Sequence, residues 1–182
     1  MVAYKIDVRL DINSEIKRTV IIPGNITFKK LHEIICILFN LNNNKKYKFI
    51  FEDLDLIIHD TGSLNIDTID ARFELIDAYF LRYTSIKYVN DIWNIKINNT
   101  KTKYEKEYPQ LLEIKGNLNP TNKIKSTNEY LTSIKQKDKN LNEIRQLKTQ
   151  SELISLFNIP HTIENNRITI LNEDETLEKY IK

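Results

Sequence analysis

The chain has 182 residues, 41% of them hydrophobic and 29% charged, with a formal net charge of +2. That length serves one domain with a sizeable core, or a domain with a small appendage, and the composition is that of a soluble globular protein. The near-neutral total implies no obligatory polyanion partner, no apolar run approaches the roughly 20 residues that span a bilayer, and a single cysteine, Cys36, excludes an internal disulfide. The opening MVAYKIDVRLD alternates instead of running basic and then apolar as a signal peptide does, so a cytoplasmic location and no membrane association are expected.

Tyr4, Ile6, Val8, Leu10 and Ile12 fall on one side of a period-two pattern and Lys5, Asp7, Arg9 and Asp11 on the other. That is a strand with one buried and one wet face. Asn13 and Ser14 supply turn chemistry, and residues 16–22 return as a second strand stopped by Pro23 and Gly24. Thr27 can cap a helix with apolar positions Phe28, Leu31, Ile34, Ile35, Leu38 and Phe39, a stripe facing the hairpin, and Asn40 to Asn44 end it.

Tyr47, Phe49 and Phe51 alternate as a further strand. The stretch 52–77 reads as loop and short structure, with a turn at Thr61 and Gly62; 78–83 and 86–98 read as two more strands. Between Tyr104 and Leu112 the pattern is ambiguous, with Pro109 opposing a continuous helix. A polar loop, 115–128, precedes helical patterns at 127–136, 139–149 and 151–158, the last with a Thr149–Glu152 capping-box spacing. His161–Glu164 and 167–171 flank Asn165 and Asn166 as a hairpin, and Asn172 begins a short terminal helix. The predicted class is α+β: an antiparallel sheet with an N-terminal hairpin, a packing helix after the second strand, and C-terminal helices with a small hairpin. A domain over 1–138 and an appendage over 139–182 are expected.

Four segments in order carry a resemblance: YKIDVRL, IPGNITFKKLHEII, NDIWNIKI and YPQLLEIKGNLNP. Together they resemble the plasmid pRiA4b ORF-3-like family, also described as mobile-element passenger proteins, over residues 4–135. Leu31, His32, Glu33, Asp91, Trp93, Ile97, Tyr108, Pro109 and Gly116 match that pattern. Lys87, Tyr88, Val89 and Asn90 stand where the family has Tyr-Asp-Phe-Gly, Ile95 replaces a histidine, and the acidic pair and glycines after Pro120 are missing. The resemblance implies no established activity.

Within a continuous 86–98 strand, Val89, Trp93, Ile95 and Ile97 would share an apolar face with Asp91 at its rim, accepting backbone hydrogen bonds or facing a cation. That makes Trp93 scaffold. His32 sits at the edge of the helical stripe, as a hydrogen-bonded boundary residue. His59 and His161 have no ligand spacing, the acids near Asp55 lack a calcium-loop glycine, and no metal or cofactor is expected. Cys36 lies in an apolar run where a thiol is inert. Three glycines build neither a phosphate loop nor a dinucleotide fingerprint. An enzyme would have to assemble His32, Asp91 and Tyr108 from distant segments.

Charge is uneven along the chain. Residues 52–77 hold eight acids against Arg72 alone, and residues 123–148 hold seven bases against three acids. Lys123, Lys125, Lys135 and Lys137 are thus the candidate nucleic-acid contacts. The helix-then-hairpin order at the C-terminus is that of a winged helix, but SELISLFN carries no Lys or Arg for phosphates. Leu153, Ile154, Leu156, Phe157 and Ile159 require cover, from the chain itself first, or from a second copy or a protein partner through 151–159. The expected role is a non-catalytic binding or accessory module, with a nucleic-acid-binding accessory protein as the alternative.

Overall fold

The structure, a computed structural model, describes residues 2–60, 69–116 and 140–171. The opening hairpin follows its alternation, but its turn is Asp11 and Ile12, two residues before the expected Asn13 and Ser14, which instead open β2. In β1 (Val2–Leu10) Tyr4, Ile6, Val8 and Leu10 are buried while Lys5 is exposed and Asp7 and Arg9 are half-buried, and β1 pairs antiparallel with β2 (Asn13–Pro23). Each such apolar side chain contributes roughly 1.5–3 kcal/mol by leaving water. Helix α1 (Phe28–Phe39) starts where the Thr27 hydroxyl accepts from the Lys30 amide at 3.2 Å, and it stops at Asn40, whose φ of 53° is left-handed. Its stripe lies on the sheet, with the Phe28 ring 5.0 Å from Phe49 and edge-on to Phe51 at 5.9 Å.

β3 (Tyr47–Phe51), a 3₁₀ turn at Glu52–Leu54, β4 (Leu56–His59) and β5 (Ile69–Asp70) follow, then α2 (Asp77–Phe80), β6 (Ser85–Asn90), β7 (Trp93–Lys103) and β8 (Gln110–Lys115). The eight strands form one sheet in the order β5-β4-β3-β6-β7-β1-β2-β8, antiparallel except for β4 with β5. Helix α3 (Asn140–Leu156) packs on α1 and β8, and β9 (His161–Glu164) with β10 (Arg167–Ile170) makes a separate hairpin. The fold is mixed α+β, a large and mostly antiparallel sheet with three helices among the described residues. None of those helices is long and apolar enough to cross a membrane.

Three further local expectations are corrected. Residues 78–83 are not a strand: α2 forms there because Tyr79, Phe80 and Tyr83, at helical spacing, reach Phe28, Tyr4 and Phe51 (Phe80 to Tyr4, 5.2 Å), and packing overrides β-propensity. Residues 86–98 are two strands joined by a two-residue turn, Asp91 and Ile92, with Asn90 opposite Trp93 and Asp91 at φ 54°. The turn changes the parity of burial: Ile86, Tyr88 and Asn90 face inward before it, and Trp93, Ile95 and Ile97 after it. The Thr149–Glu152 spacing caps nothing, because α3 runs through it as one helix and Thr149 is buried within it. The Thr61–Gly62 turn, the 127–136 helix, the helix after Asn172 and nearly all of the 115–128 loop lie outside the described residues.

The inner face also holds one large cation. Arg18, paired opposite Val8, is 2% exposed; its Nε donates to the Leu38 carbonyl of the last turn of α1 at 3.0 Å and its Nη1 to the carbonyls of Lys17, Lys115 and Gly116. A cation at a helix C-terminus meets the negative end of the dipole. Gly116 supplies its carbonyl from φ 67°, and an added Cβ would lie 2.9 Å from Ile16 Cγ1 and 3.0 Å from Ile16 Cα, so only glycine fits.

Candidate functional site

The groups with acid–base or nucleophilic potential that the fold brings together lie between α1 and strands β3 and β6. His32 and Cys36, one helical turn apart, both face the sheet and are 2% and 4% exposed. His32 Nε2 is 3.2 Å from the Asn43 carbonyl, which only accepts, so that nitrogen carries the proton. Nδ1 is then an acceptor, and the Tyr88 hydroxyl donates to it at 2.7 Å. Asn90 Nδ2 in turn donates to Tyr88 Oη at 2.9 Å and approaches Cys36 Sγ at 3.6 Å. The result is a continuous chain, Asn90 to Tyr88 to His32 to the Asn43 carbonyl. The Tyr47 ring stacks on the imidazole at 3.6 Å, nearly parallel.

Every titratable member of this chain is held neutral. Burial lowers the His32 pKa, outweighing the opposing Asn43 hydrogen bonds and the Glu33 and Asp60 charges. Burial pushes the Cys36 thiol up to about 11, with Glu33 adding to the effect and the Tyr88 and Asn90 hydrogen bonds opposing it, and burial raises Tyr88 further still above its ordinary value. A reactive cysteine needs a thiolate in an electropositive, accessible setting. Cys36 has neither.

The other sequence candidates occupy separate settings. Asp91 sits in the β6–β7 turn with its carboxylate half-exposed and 3.1 Å from Lys45 Nζ, facing a cation. Tyr108 offers its carbonyl to the Tyr104 hydroxyl at 2.8 Å, and its ring lies 5.6 Å from Lys106 Nζ. Neither is a hydrogen-bond partner of His32. His32 itself is enclosed, deeper than the boundary position its spacing suggests. Leu31, Trp93, Ile97 and Pro109 are buried. Lys123, Lys125, Lys135 and Lys137 lie outside the described residues.

Sequence reasoning missed two features. The first is Tyr88 and Asn90 as inward polar partners, since the unseen turn placed them on the wrong parity. The second is a Ser151–His161 pair: His161 Nδ1 donates to the Ile159 carbonyl at 3.0 Å, so Ser151 Oγ donates to Nε2 at 2.7 Å. Ser151 lies within α3, where the neighbouring backbone amides belong to the helix, and it ties α3 to β9. A groove of about 410 Å³ opens between α3, β8 and β10, with Leu112, Ile144 and Ile168 beside Glu143, Gln146 and Arg167. At the start of β8 the Gln150 amide stands in for a paired strand, accepting from Leu111 N at 2.6 Å and donating to the Pro109 carbonyl at 2.9 Å. Of the apolar positions in 151–159, Leu153 and Ile154 are buried and Phe157 is half-buried, with Lys30 Nζ 5.7 Å from the Phe157 ring centre.

Trp93 inward, Gly116 wedged against Ile16 and Pro109 buried ahead of β8 place the shared motif positions in the frame of the sheet. The model of the plasmid pRiA4b ORF-3-like protein family matches residues 2–160. The chain belongs to this family. For this pRiA4b ORF-3-like protein the matched segment runs on past the 4–135 motifs and through α3. A similar solved structure is that of a protein of unknown function from Methanosarcina mazei Go1, at 19% identity and a TM-score of 0.55, covering 66% of this chain and 73% of that one. That likeness bears on the fold alone. No curated protein matches.

Proposed function

We propose that this pRiA4b ORF-3-like protein is a non-catalytic binding or accessory module related to mobile-element-associated plasmid proteins. The observation that supports it is the closure of the His32–Tyr88–Asn90–Cys36 chain: its donors and acceptors are directed at one another, its groups are held neutral, and the groove beside α3 opens elsewhere. Catalysis by such groups requires hydrogen-bond reach to a substrate. In this reading the 139–182 appendage contributes the groove wall, with α3 closed over β8. An enzyme using His32, Asp91 and Tyr108 together would need these three to converge on one ligand.

The test is thiol reactivity in the native protein. Cys36 is expected to resist a chromogenic disulfide reagent until denaturant is added. Prompt labelling at neutral pH, at the rate of an activated thiolate, would overturn the reading. The alternative in which Lys123, Lys125, Lys135 and Lys137 contact nucleic acid is tested by reversing those four charges and following a mobility shift through a salt series.

A further inference from the structure

The outer face of the sheet carries a row of cations that runs across the strands. Lys115 on β8 is paired opposite Lys17 on β2, Lys17 opposite Arg9 on β1, Arg9 opposite Lys96 on β7, and Lys96 opposite Lys87 on β6. Directly opposed residues of an antiparallel pair project from the same face, with Cβ atoms about 4.5–5.5 Å apart. Five like charges therefore stand in a line about 19 Å long, four strand spacings at about 4.8 Å each. No described element covers it. The next row holds the compensating acids: Asp7 is 3.0 Å from Lys17 and 4.0 Å from Arg9, and Glu113 is 3.5 Å from Lys17 and 3.0 Å from Lys115.

Those acids quiet one half of the row and leave the other. Among the described residues neither Lys87 nor Lys96 forms an ion pair, although Asp11, Glu52 and Asp53 line the cleft of about 250 Å³ beside them. Arg9 Nε is buried and has no hydrogen-bond partner among the described residues. Like charges directly opposed across strands destabilise a sheet. A carboxylate at position 96 would face both Arg9 and Lys87 and remove that repulsion, so the row works against stability and in favour of an external anion. The aromatic side chains of β3, β6 and β7 are buried on the inner face, so among the described residues these three strands offer the outer face no exposed ring on which bases could stack.

Resting on the binding-module reading, we propose that Arg9, Lys87 and Lys96 form a contact surface for the phosphate backbone of double-stranded nucleic acid, read by charge and without base recognition. A duplex presents phosphates at close, regular spacing along its axis, which suits a line of point charges with neither stacking nor a shaped pocket. Glu52 and Asp53, just after β3, repel the backbone at that end, so the duplex lies from Lys87 toward Lys115.

The experiment is fluorescence anisotropy of a labelled duplex DNA of arbitrary sequence against the full chain, through a salt series starting at about 20 mM, where screening is weak. Three neutralised phosphates predict a slope of log K against log salt of about −2.7. Lys87→Glu with Lys96→Glu is expected to lower affinity by more than about tenfold, and Lys148→Glu, the same kind of charge change on α3, by less than about twofold. Lys96→Glu alone is expected to weaken binding while melting no lower than the parent, which separates loss of contact from loss of fold. No anisotropy change at the lowest salt overturns the proposal, as does an equal loss from Lys148→Glu. Tighter binding of labelled polyglutamate than of the duplex, at equal charge concentration and salt, overturns it in favour of an acidic protein partner. In each of these cases the binding-module reading still stands, since it falls only to native Cys36 reactivity.

Discussion

On the inner face of β6 and β7, Tyr88 is hydrogen-bonded to His32 and Asn90 to Tyr88, while on the outer face of the same strands Lys87 and Lys96 stand opposed with no carboxylate among the described residues paired to either. The two faces are separated by one step of the backbone pleat. Inside, low dielectric makes an unpartnered polar group costly, and His32, Tyr88 and Asn90 answer one another. Outside, water screens the charges, and a repulsive row costs little enough to persist. The difference marks the inner face as structure and the outer face as the surface left for a partner.

Substitutions cost most on the inner face. Phe28→Ala, at the centre of the ring contacts with Phe49, Phe51, Tyr79 and Phe80, is expected to lower stability by about 4 kcal/mol in urea unfolding. A loss under about 1 kcal/mol would mean that α1 is not seated on the sheet as described. Tyr88→Phe removes the hydroxyl that serves His32 and Asn90, leaving two buried groups unsatisfied; about 2 kcal/mol should be lost, with the fold retained by circular dichroism.

A pH series sharpens the same point. The folded pKa of His32 lies below its unfolded value because burial disfavours the imidazolium. The folded state therefore binds fewer protons. Its contribution to stability is complete above about pH 6.5 and declines as pH falls through that value, by at most about 1.4 kcal/mol per pH unit, levelling off below the folded pKa. Urea midpoints for the parent and for His32→Gln should converge toward low pH; parallel curves would show that His32 is not the group that titrates. The smallest effect belongs to the outer face, where Lys96→Glu should raise stability by about 0.5 kcal/mol through its new cross-strand pairs with Arg9 and Lys87. Destabilisation would mean that the row is not the source of repulsion described.

Much of the frame was legible from residues 2–60. The hairpin, the Thr27 cap, the α1 stripe and the β3 alternation all rest on local patterns with strong periods, and the structure has each of them. The β9–β10 hairpin was legible for a similar reason: Asn165 and Asn166 tolerate the left-handed conformation they adopt, φ 49° and 58°. The β6–β7 turn was not, because Asp91 and Ile92 lack a glycine signal and period two continues through them. Missing that turn hid the inward Tyr88 and Asn90, and with them the chain that encloses His32. Arg18 was hidden too, since a charged residue in an alternating strand reads as outward unless a helix end offers it carbonyls.

The spacing of neighbouring residues was enough to mark which segments alternate, which helix face is apolar and which family the motifs belong to. That Lys115, Lys17, Arg9, Lys96 and Lys87 stand in one line emerges from the folded sheet alone. They come from five strands spread over some hundred residues, and strand order and register, set by the packing of the whole inner face, are what align them.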